Sequence, residues 1–339
     1  MTSATTVTLR VGNALPGANQ SESASVLALW QSLAELTEAV TFQAQSGVSG
    51  EVRTYQVALD ASAVMALMQS AISGHGSFSA YHKAHDDDAS LALGADLVLT
   101  IAGNDHQVTE GESYQVATVF VQQLVLAVHI ALPGAIQLLD TRFTGAGAHR
   151  YEAQDFDGRI FYGALKSSLY NQWPRLKVHS LETVWRWLEG CEVSQVDTAI
   201  LGINKVLFTL LKIAQQRHEF SARTVLLVVY QLEVLLDCRE SRSLSRLRQR
   251  ARLVLGDIPE AADSLRELHE VRNSLFVASQ PVHRPPLISH GSADALKDQL
   301  GQHNTAVELG SALVMALLQD LIYHNARRYE FSESFVRGD

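Results

Sequence analysis

The spacing of apolar residues changes character part-way along the chain. Over the first 140 residues, short segments that alternate at a period of two are interleaved with stripes at helical spacing. VTLRV, residues 7–11, alternates and predicts a strand, while Leu27, Trp30, Leu33, Thr37 and Val40 recur at helical intervals after a polar loop. VRTYQVALD, residues 52–60, alternates again. Asp60 predicts the N-cap of a helix beginning ASAVMALMQSAI, because its carboxylate can accept from free first-turn amides, with Gly74, Gly76 and Ser77 closing it. LALGADLVLTI, residues 91–101, suits a buried strand, and Val116, Val119, Phe120, Leu124, Ala127, Val128 and Ala131 form a helical stripe. Residues 141–158 lose periodicity and read as a loop, and Trp173 and Pro174 mark a break before LETVWRWLEG.

Beyond residue 175 the pattern is helix upon helix. Helices are expected over residues 198–216, over 221–238 with Ser221 as N-cap, and over 241–255 ending at Gly256. Pro259 suits a first helical turn, and Leu265, Leu268, Val271 and Leu275 continue at three to four residues. After a loop with Pro281, Pro285 and Pro286, a last helix over 302–325 turns Leu309, Leu313, Ala316, Leu317 and Leu321 inward. The expectation is an α+β protein: a mixed α/β sensor or regulatory domain over residues 1–175, then an all-α helical bundle over 176–339.

Hydrophobic residues make up 47% of the 339 and charged residues 19%, which excludes intrinsic disorder. Two cysteines without a CxxC pair, and an N-terminus without the basic and apolar regions of a signal peptide, predict a cytoplasmic protein. Residues 113–139 hold no Asp, Glu, Lys or Arg and are long enough to cross a bilayer. Gln122, Gln123 and His129 would be costly in hydrocarbon and Pro133 and Gly134 interrupt the run, so we expect a buried core helix and no membrane partner. The formal net charge of −9 hides a gradient: residues 1–140 balance to −10, whereas residues 201–339 balance to +1. Within the latter, RESRSLSRLRQRAR, residues 239–252, has six arginines and one glutamate.

GxxxxGK[ST], GxGxxG and GxSxG do not occur, so phosphate loops and a serine nucleophile elbow find no support. His75, His82, His85 and Asp86 to Asp88 offer imidazoles and carboxylates close together, yet their spacing matches no closed zinc pattern and a solvated acidic loop is expected. Cys191 reads as a packed or surface thiol. The arginines at 242, 246, 248, 250 and 252 follow helical spacing and are expected to be exposed. They could hold a phosphodiester backbone by charge without reading its sequence, or could pair with the acidic first domain.

FSARTVLLVVYQLEVLLD, LSRLRQRARLVLG and LRELHEVRNSLFVAS together resemble the C-terminal helical core of ApeA-like HEPN proteins. Residues 231–236, 247–256 and 268–279 supply, in order, segments similar to that family's "ALExLL", "LRxRxAxLLG" and "LYxLRNxxVHG". The resemblance covers residues 220–279 and, more loosely, the last helix. It implies a helical bundle that commonly dimerises and, in many members, an endoribonuclease acting by metal-independent acid–base chemistry with no cofactor. The family signature is an Arg, a polar residue and a His four to six positions beyond the Arg. Arg272 and Asn273 match the first two, and Ala278 stands where the histidine is expected. Glu233 matches a frequent family acid that orients the signature Arg or His, and reads equally well as a core ion pair.

An alanine can neither take the ribose 2′-OH proton nor return one, a loss worth about a hundred- to ten-thousand-fold in rate. As written, this chain is expected to be catalytically crippled, either as a natural pseudoenzyme or through a His-to-Ala change that lets a toxic nuclease be produced. The expectation is a toxin or phage-defence (abortive infection) effector that cleaves RNA, two subunits sharing one cleft, its acidic N-terminal part meeting a protein trigger or antitoxin. The alternative is a noncatalytic dimerisation or RNA-docking protein whose N-terminal domain binds a protein ligand.

Overall fold

The computed structural model describes residues 4–14, 20–36, 38–46, 50–75, 94–145, 147–200, 202–215, 222–238, 244–259, 264–276 and 294–332. The described chain is α+β, an antiparallel sheet built against a set of helices.

The strands are β1 (Thr5–Val11), β2 (Val40–Gln45), β3 (Val52–Asp60), β4 (Ala95–Gly103) and β5 (Arg142–Thr144), in the spatial order β2-β3-β4-β1-β5 and antiparallel throughout. Alternation fixes the register: Val7 lies opposite Leu99, Leu9 opposite Leu97 and Val57 opposite Ile101, so one face carries the apolar row. Two strands were not expected from the pattern. β2 begins at Val40, which sits at helical distance from Leu33, but Val40, Phe42 and Ala44 alternate and are buried. β5 is a three-residue edge inside the segment expected to be a loop.

The apolar face is covered by α2 (Ser62–His75) and α3 (Glu110–Ala131), with α1 (Gln20–Leu36) packed against α2. Helix α3 is apolar around most of its circumference because it is buried on more than one side. It lies on the sheet and also meets α5 (Leu181–Gly190), α6 (Gly202–Ala214) and α10 (Asp294–Tyr323). Helices α3 and α10 are each long and apolar enough to cross a membrane, and 78% and 83% of those stretches are buried inside this fold. Packing thus accounts for the uncharged run noted in the sequence.

The remaining helices are α4 (Arg159–Asn171), α7 (Ala222–Leu235), α8 (Leu244–Leu255) and α9 (Ser264–Phe276). Residue 175 falls between α4 and α5, yet α4 lies along α10, and buried residues form one continuous core from the sheet through α3 into the helices. Gln319 on α10 fastens this junction: its amide nitrogen donates to the Ile130 carbonyl at 2.9 Å, and its amide oxygen accepts from the Lys177 backbone N–H at 2.9 Å.

The N-terminus of α3 is held by a reciprocal cap. Thr109 accepts from the Glu112 N–H, and the Glu112 carboxylate accepts from the Thr109 N–H. That carboxylate is buried and also accepts from the Tyr55 hydroxyl at 2.7 Å and from Arg53 at 3.2 Å, tying the helix to β3. Burial alone would raise the Glu112 carboxyl. The Tyr55, Thr109 and Arg53 hydrogen bonds and nearby His106 outweigh it and hold the group below the usual carboxylate range.

A carboxyl with a depressed folded-state pKa stabilises the fold above its unfolded pKa and loses that contribution as pH falls through the folded value. Glu112→Gln cannot titrate, so its Tm should fall less steeply than that of the parent below about pH 4. Parallel acid limbs in thermal melts of the two proteins would refute this role.

Candidate functional site

Among the described residues, α9 packs against both α7 and α8, and these three helices carry Glu233, Arg246, Arg248, Arg250, Arg252, Arg272 and Asn273. Helix α9 presents Leu265, Leu268 and Val271 to the core at intervals of three, which leaves Arg272 beside α7 and turns Asn273 outward. The Arg272 Nη2 lies 3.1 Å from the Glu233 Oε1, with the two side chains 8% and 15% exposed. This pair joins α7 to α9 across 39 residues of sequence, a contact that an acid orienting the arginine and a core ion pair would both make. Arg272 is not on the surface: the whole residue is 7% exposed.

Asn273 is exposed, and its amide lies 3.1 Å from the His269 Nδ1, one helical turn earlier. His269 also shares a shallow crevice with Glu233, Leu244 and Leu265. This imidazole is absent from the candidates read off the sequence. Its spacing of three and four residues from Arg272 and Asn273 was the signal that it shares their surface. The position of Ala278, expected to replace the signature histidine, lies outside the described residues.

The arginine run divides into different roles. Helix α8 places Arg250 inward at 9% exposure, against the expectation that these arginines are exposed. Its Nη1 donates to the Leu236 and Asp237 carbonyls at 2.8 and 2.6 Å, and its guanidinium lies over the Phe331 ring at 4.4 Å. A cation there satisfies carbonyls left open at the C-terminus of α7 and complements its dipole. Burial and cation–π stacking make Arg250 part of the core, because the neighbouring helix end supplies acceptors that no solvent-facing position has.

Arg248 and Arg252 line an open groove of about 900 Å3 along α8, with Ser245, Gln249 and Leu253. The Arg252 Nε donates to Asp257 at 2.9 Å, and Arg246 is half-buried. Arg242 lies outside the described residues. Helix α9 is not uniformly basic: burial, with Glu270 adding to it, holds the Glu267 carboxyl above its usual range.

Other candidate chemistry is accounted for more simply. His82, His85 and Asp86 to Asp88 lie outside the described residues, as does the side chain of His75. Among the described residues no group of His, Cys, Asp and Glu is arranged to hold a metal ion. Burial pushes the Cys191 thiol up to about 12, far from thiolate character at neutral pH.

If Glu233 and Arg272 form one unit, Arg272→Ala and Glu233→Ala should each lower stability by about 3 kcal/mol or more, and the double variant should lose less than the sum. Urea melts of the four proteins measure the coupling, and additive losses would refute it. Arg250→Ala should also destabilise, whereas Arg248→Ala should stay within about 0.5 kcal/mol of the parent. Comparison with protein-family models, curated proteins and solved structures gave no match, so the reading of this surface rests on its residues.

Proposed function

We propose that the helical part is an HEPN-type bundle built on the plan of an endoribonuclease, and that the chain as written does not cleave RNA because Ala278 replaces the acid–base group. The observation that carries this reading is the Glu233–Arg272 contact with Asn273 exposed beside it. A carboxylate that fixes a guanidinium fixes where it can meet developing negative charge, and cleavage further needs an imidazole to take the 2′-OH proton. The open groove along α8, lined by Arg248 and Arg252 with Asp257 paired to Arg252, supplies cations for phosphates. A homodimer would bring two copies of the α9 segment to one phosphate. In this reading the protein is a cytoplasmic toxin or antiviral-defence effector, and the acidic N-terminal part meets a protein trigger or antitoxin.

The second reading is a noncatalytic RNA-docking or dimerisation bundle, and the burial of Arg272 favours it. A guanidinium 7% exposed and already bonded to Glu233 is placed to hold helices together rather than to meet a phosphate.

The two readings separate on one substitution. Ala278→His should confer metal-independent cleavage of single-stranded RNA and growth arrest on expression, and Arg272→Ala in that background should abolish both. Neither cleavage nor arrest from Ala278→His would overturn the ribonuclease reading. RNA binding that survives Arg272→Ala but is lost, with a reduced salt slope, on changing Arg248 and Arg252 would establish docking alone.

A further inference from the structure

Helices α3 and α6 diverge around a second cleft, of about 280 Å3, none of whose walls belongs to α7, α8 or α9. Val119 and Gln123 are one turn apart on α3, and Phe208 and Lys212 are one turn apart on α6. Val193 and Asp197, in and just after a 3-10 turn, close the third side. That turn is pinned to edge strand β2: the Ser194 hydroxyl donates to the Gln43 carbonyl at 2.6 Å and the Asp197 N–H donates to the Gln45 amide oxygen at 3.0 Å.

Gln123 is the anomaly in these walls. It is 1% exposed, and neither its amide nitrogen nor its amide oxygen has a hydrogen-bond partner. Its neighbours Phe120 and Leu124 are fully buried, and an apolar side chain would fill the position without leaving a donor and an acceptor unpaired. The residue nonetheless lines a cleft open to solvent, and rotation about the terminal bond of a glutamine side chain is soft.

We infer that this cleft binds a free mononucleotide with its base seated on Gln123. A carboxamide presents a donor and an acceptor side by side, the pair that a nucleobase edge answers with two hydrogen bonds. Val119, Val193 and half-buried Phe208 give the ring apolar walls. Lys212, exposed at the rim, supplies the cation for a phosphate, and exposed Asp197 supplies acceptors for ribose hydroxyls. The volume lies at the small end of ligand pockets, which suits one nucleotide rather than a strand.

The test titrates the full chain with AMP, GMP, CMP and UMP, their nucleosides and ribose 5-phosphate, read by calorimetry and thermal shift. At least one nucleotide should bind and raise Tm, and Gln123→Met should raise the Tm of the free protein while weakening that nucleotide about tenfold to a hundredfold. Lys212→Gln should weaken the nucleotide about tenfold and leave its nucleoside unchanged. Lys212 is on the surface, so this variant keeps the test decisive should Gln123→Met not fold. Binding by none of the nucleotides, equal binding of ribose 5-phosphate, or nucleotide affinity unchanged in both variants would overturn the assignment.

Discussion

Helix α3 is the constraint around which the rest of the chain is arranged. A helix with sixteen of its 22 residues buried cannot be solvated on any broad face, so the sheet must cover it on one side and helices on another. Its polar ends then need partners inside the protein. The first is supplied by Thr109, Glu112, Tyr55 and Arg53, and the last by the Gln319 amide beneath Ile130. Both sets reach across long stretches of sequence, so correct placement of α3 carries the sheet and the C-terminal helix into register with each other.

The same logic explains why the two halves share a core despite their different periodicities. Helix α4 precedes the change in pattern, yet it spends its buried face on α10. Gly163 marks the close approach, since a Cβ there would lie 2.5 Å from the Glu308 Oε1, and Ser167 bonds that carboxylate at 2.9 Å. The candidate surface on α7, α8 and α9 is therefore mounted on a scaffold continuous with the sheet.

What was legible in the sequence follows from how local each determinant is. β1 and β3 alternate cleanly, β4 lies in an apolar run that suits a buried strand, and α3 and α6 to α9 carry long stripes, so their existence and type could be read directly. β2 offers only three apolar positions, the first of which, Val40, also continues a helical stripe, and only its pairing with β3 decides the matter. Helix α4 is obscured by Gly163 and two serines, residues that weaken helical propensity and whose reasons lie on other elements. The contact between Glu233 and Arg272 was anticipated from a resemblance, whereas the orphaned amide of Gln123 becomes visible only once α6 is placed beside α3.

Arg250 shows the limit of reading charge from a string of letters. Its guanidinium is committed to two carbonyls and an aromatic face, a geometry that a lysine ammonium could not reproduce. Any polyanion lying along α8 would release fewer of its condensed counterions than the density of arginine suggests, because part of that positive charge already serves as mortar between α7 and the chain's final described residues.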